Sequence, residues 1–242
     1  MQWWYIMANL GLGIGIGRSA PIGIESPYPL QEYSLDFDGS PDRILVGATI
    51  SPTDFSVSGW IAPISIAANN RGIVTKDASG NWDGDWAITT EANTGKLVFD
   101  INNSTSIKTI KSDAAIATPA TWTHFVCTYD GTLKMYINGT QQAMYDFHDA
   151  DISNNSHHIQ IGTRNNTNYY EGLMDEISLF DKALSALEVE NIYNDGIPTD
   201  LTGRSNLLCY WTFNDGSTAD DTSGNGHHGV LTGTSHSPIV PF

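Results

Sequence analysis

Cysteine is nearly absent from this sequence: Cys127 and Cys209 are the only two in 242 residues. Two thiols exclude a disulfide framework, and both fall in stretches that read as strands; whether they meet is open at this level. Basic residues are scarce as well. Eleven Lys and Arg stand against 27 Asp and Glu, giving a formal net charge of −16. Nucleic acid and anionic membrane faces both call for a basic surface, so neither is an expected partner. The charge suits a soluble particle surface or carboxylates that bind Ca²⁺. No apolar run is long enough for a bilayer. The N-terminal apolar stretch is broken by Gly11, Gly13, Gly15 and Gly17 and lacks a basic leader, so neither a signal peptide nor a membrane span is expected.

Catalytic signatures are missing too. There is no G-x-S-x-G elbow, no P-loop and no H-E-x-x-H. Asp175 and Glu176 are adjacent, and on a regular strand adjacent side chains leave by opposite faces, which prevents their acting on one bond. The pairs His157-His158 and His227-His228 diverge for the same reason, with no Cys or third His at ligand spacing. The expectation is a protein that is not an enzyme.

What the chain does have is aromatic residues and glycine: seven Trp, ten Tyr, eight Phe and 23 Gly. Such a composition suits many short strands and turns, and the length is enough to bury a sizeable core. The clearest unit is Trp122 to Gly139, WTHFVCTYDGTLKMYING. Two β-rich runs joined by Asp130-Gly131 predict a hairpin, with a further turn at Asn138-Gly139. Other strands are expected at Leu35–Phe37, Ile44–Val46, Phe55–Ile64, Gly72–Asp77, Trp86–Thr89, Lys96–Asn103, Ile159–Ile161 and Gly172–Phe180. Regular spacing of this kind indicates a sandwich or jelly roll. Trp60 is expected to be a large core residue. Ser185 and Glu188 form a capping box for one short helix, with Leu187, Ile192 and Tyr193 as its packing face.

Trp122, His124, Tyr129, Asp130 and Gly131, followed by Leu133, Tyr136, Asn138 and Gly139, resemble the W-x-H and Y-V-N-G hairpin of laminin-G-like domains. The segment GLMDEISLF, from Gly172 to Phe180, is similar to the G-x-I-D-E strand of the same family. The resemblance runs from about Tyr33 to Asn194. It implies an all-β fold, a concanavalin A-like two-sheet antiparallel jelly-roll sandwich with one short helix near 185–194. Residues 1–32 then form a Gly/Pro-rich N-terminal arm and 33–242 the jelly roll, with 33–195 as main body and 199–242 as an extension supplying an additional strand. The extension, with Leu207, Cys209, Trp211 and Phe213 in a stripe, is expected to fold onto the same sandwich, since an isolated strand has no core of its own. The arm reads either as a disordered tail or as an extended segment ordered against a neighbouring subunit. Met7 is a second candidate start.

The resemblance also implies ligands. A structural Ca²⁺ in this family implicates Asp175, with Asp38 or Asp215; a plain hydrogen-bonding role for Asp175 stands beside it. A glycan site would use exposed aromatic rings flanked by amides. The candidates are Trp82 and Trp86 in NWDGDW, and Tyr169 and Tyr170 beside Asn165, Asn166 and Asn168. If Trp86 and Tyr170 turn into the core, Trp82 and Tyr169 remain as the exposed pair. His124 is a family position expected to pack and hydrogen-bond inside the sandwich. The layout looks most like phage structural proteins: a non-enzymatic virion decoration or appendage protein, on a virion surface or extracellular, contacting other virion subunits or copies of itself. The alternative is a carbohydrate-binding adhesin that contacts cell-surface glycans.

Overall fold

A computed structural model describes residues 32–241, apart from 48–49, 65, 67–68, 77–85, 103–105, 117–120, 148–151, 153–155 and 216–217. The arm ahead of Glu32 and the candidate Trp82 therefore lie outside the described residues. In chain order the first strands are β1 (Ser34–Asp38), β2 (Arg43–Val46), β3 (Phe55–Pro63), β4 (Arg71–Lys76), β5 (Trp86–Thr90) and β6 (Lys96–Asn102). Next come β7 (Ile107–Ala115), β8 (Thr123–Tyr129), β9 (Thr132–Ile137), β10 (Thr140–Gln141), β11 (Asp146–Phe147) and β12 (Ile159–Ile161). Strand β13 (Glu171–Phe180) leads into helix α1 (Ala186–Tyr193), and β14 (Leu207–Trp211), β15 (Gly229–Thr232) and β16 (Ser235–Ser237) close the chain.

Two antiparallel sheets pack face to face as a jelly-roll sandwich. Sheet A runs β10-β9-β8-β3-β13-β1-β16, with β11 on β9 and β14 on β13; sheet B runs β15-β2-β12-β4-β5-β6-β7. The hairpin read from Asp130-Gly131 is β8 and β9, with Gly131 at φ 86° and the Asp130 carboxylate accepting the Thr132 N–H at 3.2 Å. At the next turn Asn138 and Gly139 both take positive φ, the geometry a two-residue hairpin loop requires.

The core lies between the sheets. Phe55 sits within 5.2 Å of Trp86, 5.8 Å of Tyr129 and 6.2 Å of Phe99, ring centre to ring centre. Cys127 and Cys209 are both buried there as free thiols. The C-terminal segment contributes to both sheets: β14 beside β13, β15 beside β2 and β16 beside β1.

Helix α1 covers the outer face of sheet A, where Val189 and Ile192 meet Val126, Phe180 and Leu207. The capping box forms as read, Ser185 and Glu188 satisfying each other's backbone N–H. The packing face differs from expectation, because Leu187 is 66% exposed and Val189 takes its place. Trp60 and His124 are buried as expected, and His124 makes a hydrogen bond. Both lie on the outer face of sheet A, stacked against Tyr193 at 6.0 and 5.7 Å. His124 bonds Ser58 at 3.2 Å, and burial lowers its pKa to about 3.

Strand β13 carries an irregularity between Asp175 and Ser178. Met174 and Ile177 both enter the core although three residues apart, and Glu176 takes φ +54° between them. An extra residue in one strand breaks the two-residue alternation. Asp175 and Glu176 thus both leave the core side, which corrects the expectation of opposite faces.

Candidate polar cleft at the end of the sandwich

Directly opposed residues in a sheet share a face. The pairs Gln160 with Thr75, Thr75 with Ala87, Ala87 with Asp100, and Asp100 with Thr109 therefore form one row on the outer face of sheet B. The loop after β12 folds over this row. Gly162 (φ +83°) turns the chain against the Phe37 ring, where a Cβ would meet ring carbon at 2.1 Å. The Thr163 carbonyl then accepts the Thr75 hydroxyl at 3.0 Å. Gly72 lies directly beneath, its N–H donating to Asn168 O at 3.0 Å; a Cβ there would stand 2.2 Å from the Thr163 carbonyl carbon.

From this loop Arg164 reaches across β5 to Asp100, 3.5 Å away, where the Thr109 hydroxyl donates to the same carboxylate at 2.6 Å. Burial raises the Asp100 pKa, with the Thr109 bond and the Arg164 charge opposing it. Asn165 and Asn166 adopt φ 59° and 53°, a conformation that asparagine tolerates better than most residues. They let the chain reverse, and Arg164 and Asn168 exchange backbone bonds of 3.2 and 3.1 Å across the turn. The Tyr169 hydroxyl closes it by donating to Asn166 O at 2.6 Å.

The turn forms one wall of a cleft of about 280 Å³, whose other lining residues are Gly39, Asn69, Asn70 and Arg71. Arg71 ties the walls together: its Nη1 lies 3.1 Å from Glu171 Oε2 and donates to Tyr169 O at 3.2 Å. The Asn70 side-chain oxygen Oδ1 accepts the Ala92 N–H at 2.8 Å, which ties its amide to the turn after β5. Partly buried Tyr169 thus lines the cleft together with Asn69, Asn70 and Asn168.

The sequence-derived glycan candidates separate. Tyr169 lines the cleft, and Asn165 and Asn166 build its turn. Trp86 and Tyr170 are corrections. Trp86 is 3% exposed and packs on Phe55; Tyr170 is 1% exposed and packs edge-on against Phe37 at 5.9 Å. Both point inward because each stands at a core-facing register position, so no ligand ring reaches them. Asn69, Asn70, Arg71 and Thr167 complete the cleft and were not singled out from sequence; the polar run Asn69-Asn70-Arg71 just before a glycine-containing strand was the available signal.

The three candidate metal carboxylates do not converge. Asp38 pairs with Glu171, four residues along β13 from Asp175, a separation of roughly 13 Å. Asp175 is fully buried, with Oδ1 accepting the Glu176 N–H at 2.9 Å and Oδ2 taking no hydrogen bond. Asp215 is exposed beyond β14 and holds the Thr218 N–H at 2.9 Å. Among the described residues no group of three His, Cys, Asp or Glu side chains is arranged to hold a metal ion. Glu176 instead accepts from the Tyr210 hydroxyl beside a second cavity, of about 170 Å³, bordered by Thr199, Asp200 and Asn214.

Comparison with known proteins agrees with the architecture. A curated relative, adhesion G-protein coupled receptor V1 of Danio rerio, is 23% identical over 166 residues, 65% of this chain. The chain spans only 3% of that relative's length. Among solved structures, a candidate carbohydrate binding protein from Bacteroides ovatus superposes with a TM-score of 0.67 at 15% identity, covering 86% of this chain and 60% of the other. The heptameric SAP-like pentraxin of Limulus polyphemus gives 0.62 at 18% identity, covering 86% and 95%. Domain 4 of the arabinanase AbnA from Geobacillus stearothermophilus, solved with arabinotriose, gives 0.53 at 20%, covering 66% and 76%. At these identities the structures establish the fold. Among the described residues no helix is long and apolar enough to cross a membrane. A laminin-G-like family model matches residues 38–190, well over half of the sequence, and the chain therefore belongs to the concanavalin A-like lectin/glucanases superfamily.

Proposed function

We propose that the protein is a non-catalytic carbohydrate-binding module whose ligand enters the cleft between Asn69–Arg71 and residues 167–169. The observation that carries this reading is that Tyr169 and three asparagines, Asn69, Asn70 and Asn168, line one small opening. An aromatic face stacks on the apolar face of a sugar ring, while planar amides donate to and accept from neighbouring hydroxyls. The volume, near the lower end of the roughly 300–1,000 Å³ of small-molecule sites, suits about one or two sugar rings. The description of the Bacteroides ovatus protein as carbohydrate-binding and the arabinotriose held by the arabinanase domain support the same class of partner. An extracellular or surface setting follows from that partner.

The sequence resemblance to phage structural proteins supports a virion appendage as the setting, anchored by residues 1–32. Deleting residues 1–25 then abolishes incorporation into particles and spares glycan binding. A glycan array followed by calorimetry tests the cleft itself. Tyr169→Ala and Asn168→Ala should each weaken the best wild-type ligand by about tenfold or more. Unchanged affinity in both variants would remove the cleft from consideration.

A further inference from the structure

Among the described residues lining the cleft, Arg71 is the only one with a formal charge. Its guanidinium already faces the Glu171 carboxylate at 3.1 Å and the Tyr169 carbonyl at 3.2 Å. Gly39 eases this approach: a Cβ there would crowd Arg71 Nη1 at 3.3 Å, and its φ of +91° favours glycine. Glu171 is held at the first position of β13, opposite Asp38, with its carbonyl accepting the Ile64 N–H at 3.1 Å. The cation is therefore matched by a carboxylate fixed in the frame, and the remaining lining groups are amides, a hydroxyl and a phenol.

We infer that Glu171 sets the ligand class: by occupying Arg71 it closes the cleft to anionic sugars, so that the site takes neutral glycans. This rests on the reading of the cleft as a glycan site. A uronic or sialic acid carboxylate entering the cleft would have to compete for Arg71 with a carboxylate already in place. It would also meet the repulsion of that charge and of a chain with a net charge of −16. Exclusion by a placed like charge is an effective route to specificity, since it acts on the wrong ligand and leaves the right one alone.

The experiment compares the full chain and Glu171→Gln by calorimetry. The probes are neutral oligosaccharides (hexose-, pentose- and N-acetylhexosamine-ended) and acidic ones (uronic- and sialic-acid-ended), at about 0.05 and 0.5 M salt. Wild type should bind neutral sugars with a Kd that changes less than about twofold with salt, and acidic ones at least about tenfold more weakly. Glu171→Gln should raise the affinity for acidic sugars relative to neutral ones by about tenfold or more, a gain that salt erases. Wild type binding acidic sugars as well as neutral ones would overturn the inference and leave the glycan reading standing, and this arm needs no variant to fold. A folded Glu171→Gln that gains nothing for acidic sugars would also overturn it. If wild type binds no sugar of either kind, or binds equally well as Tyr169→Ala, the cleft reading itself fails and takes the inference with it.

Discussion

Arg164 and Asp100 meet at 3.5 Å, joining the loop after β12 to β6, three positions away in sheet B. Both side chains are nearly buried, at 9% and 12% exposure. The pair holds down the turn that forms one wall of the cleft.

Removing one partner of such a pair is costly because the other stays buried. Asp100→Ala should destabilise the fold by about 3 kcal/mol in urea titrations and weaken ligand binding although Asp100 lies outside the cleft. The double variant with Arg164→Ala should lose clearly less than the sum of the two single changes. Strict additivity would show that the two side chains act independently.

Gly72→Ala should cost about 1–3 kcal/mol, since the added methyl would meet the Thr163 backbone, which cannot move without lifting the loop. Gly47→Ala, at a position where a Cβ meets nothing within 4 Å, is the control and should change the urea midpoint little.

Asp175 makes stability depend on pH in a predictable direction. Burial first, and the neighbouring Glu176 charge second, raise its pKa well above the ordinary 3.8. The native state keeps a proton that the unfolded chain has already released, so this group's contribution falls as pH rises from about 4 through the raised value. The slope is at most about 1.4 kcal/mol per pH unit. Asp175→Asn retains a carbonyl oxygen for the Glu176 N–H and carries no charge. It should be more stable than wild type at neutral pH and should lose this part of the slope. A variant that is less stable than wild type at pH 7 would mean that the ionised carboxylate has a favourable partner.

The separation of Asp38, Asp175 and Asp215 leads to a fourth expectation. Thermal unfolding midpoints with EDTA and with millimolar CaCl₂ should agree within about 1 °C, because a ligand stabilises only by binding the native state. A rise of several degrees with calcium would reveal a site built from other oxygen ligands.

The hairpin and the capping box were legible because their signals are local. Asp130-Gly131 specifies a turn, and Ser185 with Glu188 specifies a helix start, whatever surrounds them. The sandwich was legible through repeated strand patterns. The cleft was only half legible. Tyr169 and the asparagines at 165 and 166 stood out, but Asn69, Asn70 and Arg71 arrive from a connection nearly a hundred residues earlier, and no local pattern announces that meeting. Trp86 and Tyr170 misled for a related reason. An aromatic beside polar neighbours looks exposed until strand register decides which way it faces. The bulge at Asp175 and Glu176 was invisible because strict alternation was assumed where the strand carries one residue too many.

The C-terminal strands have a consequence for how the protein is made. Strand β1 lies beside β16, β2 beside β15, and the Ser34 hydroxyl donates to Ile239 O at 2.7 Å across 205 positions of sequence. A nascent chain leaving the ribosome exposes the edges of β1 and β2 until β15 and β16 have been translated. Long-range pairing of this kind folds slowly and leaves sticky intermediates, so yield during overexpression should depend on chaperones and growth temperature more than final stability would suggest. A premature stop near residue 205 would remove β14, β15 and β16 together, leaving both sheets incomplete.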